Sequence, residues 1–399
     1  MEYKDELLTR AEDHMFSTGL RDGATQLCRA NMKYGLAKIQ WVQERLGLKS
    51  DATFISTPDM TITRNAARWK SGFGYGGKVT WGDGDLELIV LDVKPNTCGM
   101  LVGGLDRLPD SSELIYKINK LKDRKEEIDG IEIQWDFHVS NHFIDLFWVK
   151  PLGEVKFSEY VFIIHSSARE LRGDNRKGFG FYYDHSQILR DMAERFDTPF
   201  GPLHVLTSSR AKEYYEFYCY AEEYSKQKRI LAAEALFGEF ELVSNEVHQG
   251  LVNMNEILLG CHLLDEKDPE CAFPFVLRAD LPAYLVKGKP NLGENDIEAL
   301  GFTRRAKTVG VYNRLKKANI IPHGAGYSLP DLLDVCRVLE YDDHRYFEVD
   351  LLNDRGKEVL SDVREIPYAY RGRQVVLKTL ELNMCELVAK LLPRYVLKI

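Results

Sequence analysis

Three extended apolar runs follow one another in the first half of the chain: Ile131-Glu132-Ile133-Gln134-Trp135, Phe143 to Val149, and Tyr160 to Ile164. Partly alternating and partly continuous, they have the pattern of strands. Helical patterns lie to either side. Thr25 to Leu48 carries Leu27, Met32, Leu36, Ile39, Val42 and Leu46 near 3.6 spacing, and a second amphipathic stretch with Leu114, Ile115, Ile118 and Leu121 follows Ser111-Ser112. Downstream the spacing predicts helices from Thr207 to about Phe237, Glu239 to Leu259, Leu329 to Leu339 and Leu380 to Leu392, with Gln374 to Leu377 extended. Strands and helices without regular alternation argue for an α+β fold, with mixed or antiparallel sheets packed by helices, over a doubly wound parallel sheet. There is no internal repeat, low-complexity tract or long Pro/Gly/Ser linker. We therefore expect one domain over residues 1–399, with an N-terminal helical extension over about residues 1–50.

Other classes fall away on composition. At 399 residues and 44% hydrophobic content, the chain has too large a core for a disordered protein and too few cysteines for a disulfide-stapled module. No apolar run reaches the roughly 18 residues that span a bilayer. The acidic start, Met1 to Glu6, lacks the apolar stretch of a secretory leader. Seven cysteines, an odd number without a CxxC pair, fit reduced thiols, so the expected location is the cytoplasm. A net charge of -8 opposes a generally basic surface. One window, Ala299 to Pro330, has no Asp or Glu but contains Arg304, Arg305, Lys307, Arg314, Lys316 and Lys317; it reads equally as an anion-facing segment or a solvated face.

Glycines cluster at Gly72 to Gly77 and at Gly103-Gly104, without a Walker or Rossmann setting, and turns account for them. The polar groups that terminate apolar runs are more informative. Cys98 follows the predicted strand Leu86 to Val93, Asn141-His142 opens one extended run, His165 ends another, and His248 lies on a predicted helix. Dozens of residues separate them, so no local metal-binding spacing connects them.

Taken in order, Cys98-Gly99-Met100, Asn141-His142-Phe143-Ile144-Asp145, His165-Ser166-Ser167-Ala168-Arg169, His248-Gln249, Pro322-His323-Gly324-Ala325-Gly326 and the terminal Pro393 to Ile399 resemble the RtcB family of GTP-dependent RNA ligases, from about Pro58 to the end. The resemblance implies manganese, as two ions, and GTP as cofactors. Cys98, His142, His165 and His248 are the implied metal ligands. His323 is the implied nucleophile, carrying GMP as a phosphoramidate. Asn141, Asp145, Arg169, His323, Gly324, Ala325, Gly326, Tyr370 and Lys398 are the implied nucleotide-binding residues. The family has Asp three residues before the metal cysteine, where this chain has Pro95; Asp92 is the substitute metal ligand. Tyr327 follows the His-Gly-Ala-Gly element in place of Arg, and Gln249 follows His248 in place of Asn.

The implied reaction joins an RNA 3′-phosphate or 2′,3′-cyclic phosphate to an RNA 5′-hydroxyl, in RNA repair or tRNA splicing. The implied partners are those RNA ends, GTP and an activating or repair protein, with no membrane and a monomeric enzyme. The alternatives on the same scaffold are a metal-dependent phosphoesterase and a non-ligating RNA-end-binding protein.

Overall fold

Of the extended runs, the first is a strand only at Ile131–Glu132, which pairs with Glu127–Ile128 in a separate two-stranded sheet, and Phe143 to Val149 and Tyr160 to Ile164 lie in the middle of an eleven-stranded sheet in the computed structural model, which describes residues 2–137, 139, 141–265, 268–342, 344–352 and 356–397. Its strands are β1 (Met15–Phe16), β2 (Thr53–Thr61), β3 (Tyr75–Thr80), β4 (Cys98–Leu105), β5 (Phe143–Pro151), β6 (Tyr160–Ser166), β7 (Glu241–Asn253), β8 (Glu256–Leu259), β9 (Ala272–Phe275), β10 (Ala283–Gly288) and β11 (Cys385–Leu397). They are ordered β1-β2-β3-β8-β7-β4-β6-β5-β11-β10-β9. The β1–β2 pair is parallel and every other pair antiparallel, so the sheet is mixed and the fold is α+β, a single compact unit. The central strands β4 and β6 are buried on both faces, which is why Tyr160 to Ile164 in β6 reads as a near-continuous apolar run, while β4, interrupted by Gly99, Gly103 and Gly104, is not among the predicted strands.

Five helices matter for the site: α1 (Glu2–Asp13), α2 (Gly23–Arg45), α3 (Ala66–Ser71), α4 (Ser111–Asp123) and α5 (Ser208–Phe237). Helix α2 starts at Asp22, whose side chain accepts from the Thr25 amide at 3.0 Å, a standard N-cap. The predicted stripe is buried from Leu27 to Val42, Leu46 just past the helix end is exposed, and α2 is no appendage. It is buried along most of its length, against β2 and the strand Leu332–Tyr341. Helix α5 lies across β4, β6 and β7 and buries Tyr214, Tyr218, Tyr224, Ser225, Lys228 and Arg229. No helix among the described residues is long and apolar enough to cross a membrane.

Four predicted elements have the opposite character. Glu239 to Leu259 forms β7 and β8, Leu329 to Leu339 falls largely in the strand Leu332–Tyr341, and Leu380 to Leu392 falls largely in β11. Gln374 to Leu377 is helical within Gln374–Glu381. Both β7 and β11 have partners on each side, so pairing and burial dictate their conformation. Neither is buried throughout, Leu242 and Glu386 being exposed, so it is strand pairing that overrides the local pattern.

Candidate functional site

Strand pairing assembles a cluster that sequence spacing leaves scattered. His165 lies opposite Met100 on β4 and opposite Phe143 on β5, so Cys98, at the start of β4, and His142, just before β5, converge on it. The Cys98 Sγ atom is 3.0 Å from His165 Nε2 and 3.4 Å from His142 Nε2. The three donor atoms lie within 4.8 Å of one another, and all three residues are buried. Each imidazole is held from behind: His165 Nδ1 is 3.1 Å from the Asn141 carbonyl, and His142 Nδ1 is 2.9 Å from Asp136 Oδ2. Such Nδ1 partners fix the tautomer and aim of a metal-binding histidine. Burial would push the Cys98 thiol up, but the His165 and His142 imidazoles outweigh it and hold the thiol well below its ordinary value. For His142 burial disfavours the charged form, yet Cys98 and Asp136 together raise it to about 9.

His248 lies beside this group, on a strand and not on the predicted helix, and is not one of the three clustered donors. The β7–β4 register shifts between Val247 and Gln249, and such a bulge redirects the side chain within it. The His248 ring lies 5.0 Å from that of His165 and is stacked at 4.7 Å on that of His323. It is fully buried, and among the described residues neither ring nitrogen makes a well-formed hydrogen bond, although the Cys98 sulfur is close enough to act on it as a hydrogen-bonding and charged neighbour. Burial drives it down to about 3, so it is neutral and able to donate a lone pair. A thiolate ringed by imidazoles, one of them with orphaned nitrogens, fits a borderline divalent metal.

His323 follows the short strand Ile320–Pro322, and its Nδ1 atom is 2.9 Å from Asp59 Oδ2. Asp59 lies where β2 departs from regular pairing with β3, between Ser56 and Thr61, and Thr57 donates to its other oxygen at 2.5 Å. The Gly324-Ala325-Gly326 turn holds this arrangement. Ala325 donates to the Val276 carbonyl at 3.1 Å, and Gly326 has φ +67 with its α-carbon so close to Asp59 that a Cβ would fall 2.4 Å from the Asp59 carbonyl. With Nδ1 committed to Asp59, Nε2 is the nitrogen left to react.

One cavity of about 700 Å³ joins the two groups. Its lining includes Cys98, His142, His165 and His323, together with Asn141, Asp145, Arg169, Gly324, Ala325, Gly326 and Tyr370. Tyr370 pairs with Tyr327 and forms a cluster of rings with Tyr327 and Tyr368, and the Arg64 guanidinium is 4.1 Å from the Tyr368 ring centre.

Asp92 is not part of the cluster. Its carboxylate accepts from the His204 amide at 2.5 Å and from Ser71 at 3.2 Å, which fully engages it in the loop after the strand Leu88–Val90. Lys398 lies outside the described residues. The basic window turns partly inward: Arg314 bonds Asp51, Arg305 bonds the Met15 carbonyl, and Lys316 pairs with Glu294. None of its six cations lines the cavity.

Several residues of the site have no signal in spacing or composition. Asp59 and Asp136 orient the histidines, and Lys228 is fully buried with its ammonium 3.5 Å from Asp136, 3.3 Å from Glu170 and 2.6 Å from the Gln134 carbonyl. Compared with protein-family models and with curated proteins, the chain matches none.

Proposed function

We propose that the protein is a metal-dependent RNA ligase that forms a covalent nucleotidyl-histidine at His323. The observation carrying this reading is the Asp59–His323 pair, 2.9 Å apart, beside the Cys98-centred donor cluster in one cavity. An imidazole with Nδ1 bound to a carboxylate presents Nε2 as a neutral nucleophile and gains stabilisation once it carries positive charge. Attack on the α-phosphorus of GTP forms a P–N bond and breaks the bond to the β-phosphate oxygen, releasing pyrophosphate. An RNA 3′-phosphate oxygen then displaces the histidine to give a 3′-to-5′ pyrophosphate link to GMP. The 5′-hydroxyl of a second RNA attacks that 3′-phosphorus, losing its proton as GMP leaves.

Cys98, His142 and His165, with His248 as a fourth donor, would hold the metal, and a bound divalent ion would neutralise phosphate charge and orient in-line attack. In the reading as a two-manganese site, the second ion must find its oxygen ligands elsewhere than at Asp92. That placement favours one alternative, a single-metal phosphoesterase that needs Cys98 and His165 but not His323.

The test is incubation with α-labelled GTP and manganese, followed by denaturing gels of wild type and His323→Ala. Label on the wild type alone supports the nucleotidyl-histidine. Metal-dependent phosphate release in both proteins, with neither labelled, supports the phosphoesterase.

A further inference from the structure

The Asp59–His323 contact depends on backbone that the sheet does not hold. Pairing of β2 with β3 lapses between Ser56 and Thr61, and Asp59 and Met60 have no register partner on β3. Arg371 takes the place of the ladder. Its Nη1 donates to the Asp59 and Met60 carbonyls, at 3.1 and 2.9 Å. Its Nε and Nη2 donate to the two Asp22 carboxylate oxygens at 2.7 and 2.6 Å, and Nη2 also donates to Thr25 Oγ1 at 3.0 Å. A guanidinium carries five N–H groups, and each of these has an acceptor. The Thr25 hydroxyl donates in turn to the Met60 carbonyl at 3.2 Å. The Arg371 amide donates to the Gly326 carbonyl at 3.1 Å, so the same residue grips the turn that follows His323.

Arg371 is 1% exposed and is not among the residues lining the cavity. Any effect it has on chemistry there must pass through Asp59 and the Gly326 turn. A strand segment that leaves its ladder is fixed only where other donors take up its carbonyls. The planar guanidinium serves two carbonyls and a carboxylate at once, in fixed directions; a lysine ammonium, with three donors on a flexible stem, does not. The carboxylate at the far end is Asp22, which also caps α2.

We infer that Arg371, anchored by Asp22, is the positioning residue that fixes Asp59 against His323. The start of α2 is thereby part of what aims the nucleophile.

The test compares full-length wild type, Arg371→Lys, Asp22→Asn and Asp59→Asn in the presence of manganese. Asp22→Asn is the milder change: asparagine caps a helix as well as aspartate does, and the Asp22 side chain is 31% exposed, so water reaches the altered position. It decides the matter if Arg371→Lys does not fold. The first readout is the rate of GMP labelling at His323, and this part rests on the nucleotidyl-histidine reading. Arg371→Lys should slow labelling at saturating GTP roughly tenfold or more, with the GTP concentration for half-maximal rate within about twofold of wild type. Asp22→Asn should act in the same direction. Combined with Asp59→Asn, Arg371→Lys should cost less than about twofold more, because a residue acting through Asp59 then has nothing left to position. A further loss as large as in the single variant would overturn the inference. The second readout needs no turnover. Nitrogen NMR of protein with isotope-labelled histidines reports which ring nitrogen of His323 carries the proton, the signal being assigned by its loss in His323→Ala. That proton should sit on Nδ1 in wild type and lose this preference in Arg371→Lys and Asp22→Asn, with the His142 and His165 signals unmoved. A wild-type His323 signal in both folded variants overturns the inference whether or not the protein takes up label. Label on wild type, with both variants labelled at its rate, sinks the positioning role alone. No label on wild type, with the Nδ1 preference lost in the variants, sinks the nucleotidyl-histidine alone.

Discussion

The Lys228 ammonium and the Asp136 carboxylate face each other at 3.5 Å with both side chains excluded from water, and the other Asp136 oxygen lies 2.9 Å from His142 Nδ1. Helix α5 thereby reaches through a carboxylate to the back of a metal-donor histidine. The Asp136 carboxyl is held far below its usual range: burial opposes ionisation, but Lys228 and then His142 outweigh it. Removing one partner of such a buried pair leaves an uncompensated charge, which typically costs about 3–5 kcal/mol. Lys228→Met should therefore lower stability by about that amount. Because His142 loses its fixed orientation, metal affinity should fall roughly 10–100-fold. Cobalt titration, followed by the thiolate-to-metal absorption, and thermal denaturation check the two effects independently. Wild-type cobalt affinity in a folded Lys228→Met protein would detach Lys228 from the metal site.

Asp59→Asn should slow GMP transfer to His323 by about 10²-fold or more while leaving the protein folded. An amide is nearly isosteric with the carboxylate, but its NH₂ can donate to Nδ1 and so select the tautomer with the proton on Nε2. It also cannot stabilise the cationic imidazole. The label-forming rate at saturating GTP is the readout, and a rate within twofold of wild type would remove Asp59 from the proposed role.

The difference between what the sequence revealed and what it hid has a physical pattern. Amphipathic α2 and the buried strands β5 and β6 were legible because their periodicity reports their surroundings directly, while β4, broken by Gly99, Gly103 and Gly104, was not. The strands β7 and β11 were not either, since pairing on both sides holds them extended whatever the local pattern. Cys98, His142 and His165 stood out as polar ends of apolar runs, yet only the antiparallel registers of β4, β5 and β6 place their donor atoms together. Asp92 lies apart from that group, its oxygens bonded by the His204 amide and Ser71. Lys228, Arg68 and Asp136 could not be singled out, because a buried charge is indistinguishable in sequence from a solvated one.

Acid should destabilise the metal-free protein through its buried neutral histidines. Burial lowers His248 to about 3, and burial together with His248 and His323 holds His262 well below its ordinary value. The unfolded chain takes up these protons near pH 6.5 and the folded chain does not, so the stabilisation is complete above that pH and is lost as pH falls toward the folded values. Each group steepens the loss by up to about 1.4 kcal/mol per pH unit over that window. Among the described residues the His262 ring bonds only the Pro274 carbonyl, at 3.1 Å, so His262→Gln should flatten the stability profile between about pH 6 and about pH 4. Equal slopes in urea titrations of the variant and wild type across that range would refute the assignment.

Gly326→Ala and Gly301→Ala separate backbone strain from steric collision. Both glycines have positive φ, +67 and +71, so alanine at either position costs about 1–2 kcal/mol from conformation alone. At Gly301 a Cβ meets nothing within 4 Å, so strain is the whole cost. At Gly326 the Cβ would fall 2.4 Å from the Asp59 carbonyl and 2.9 Å from Arg371 Nη1, a guanidinium that itself donates to the Asp59 and Met60 carbonyls at 3.1 and 2.9 Å and pairs with Asp22 at 2.6 Å. None of these atoms is the free end of a flexible chain, so β2 must shift, and Asp59 with it. Gly326→Ala should therefore lose appreciably more stability than Gly301→Ala in parallel denaturation curves. It should also slow GMP labelling about as much as Asp59→Asn does, since both disturb the 2.9 Å contact that aims His323. Labelling at the wild-type rate in Gly326→Ala would mean that the turn supports the fold without setting the nucleophile.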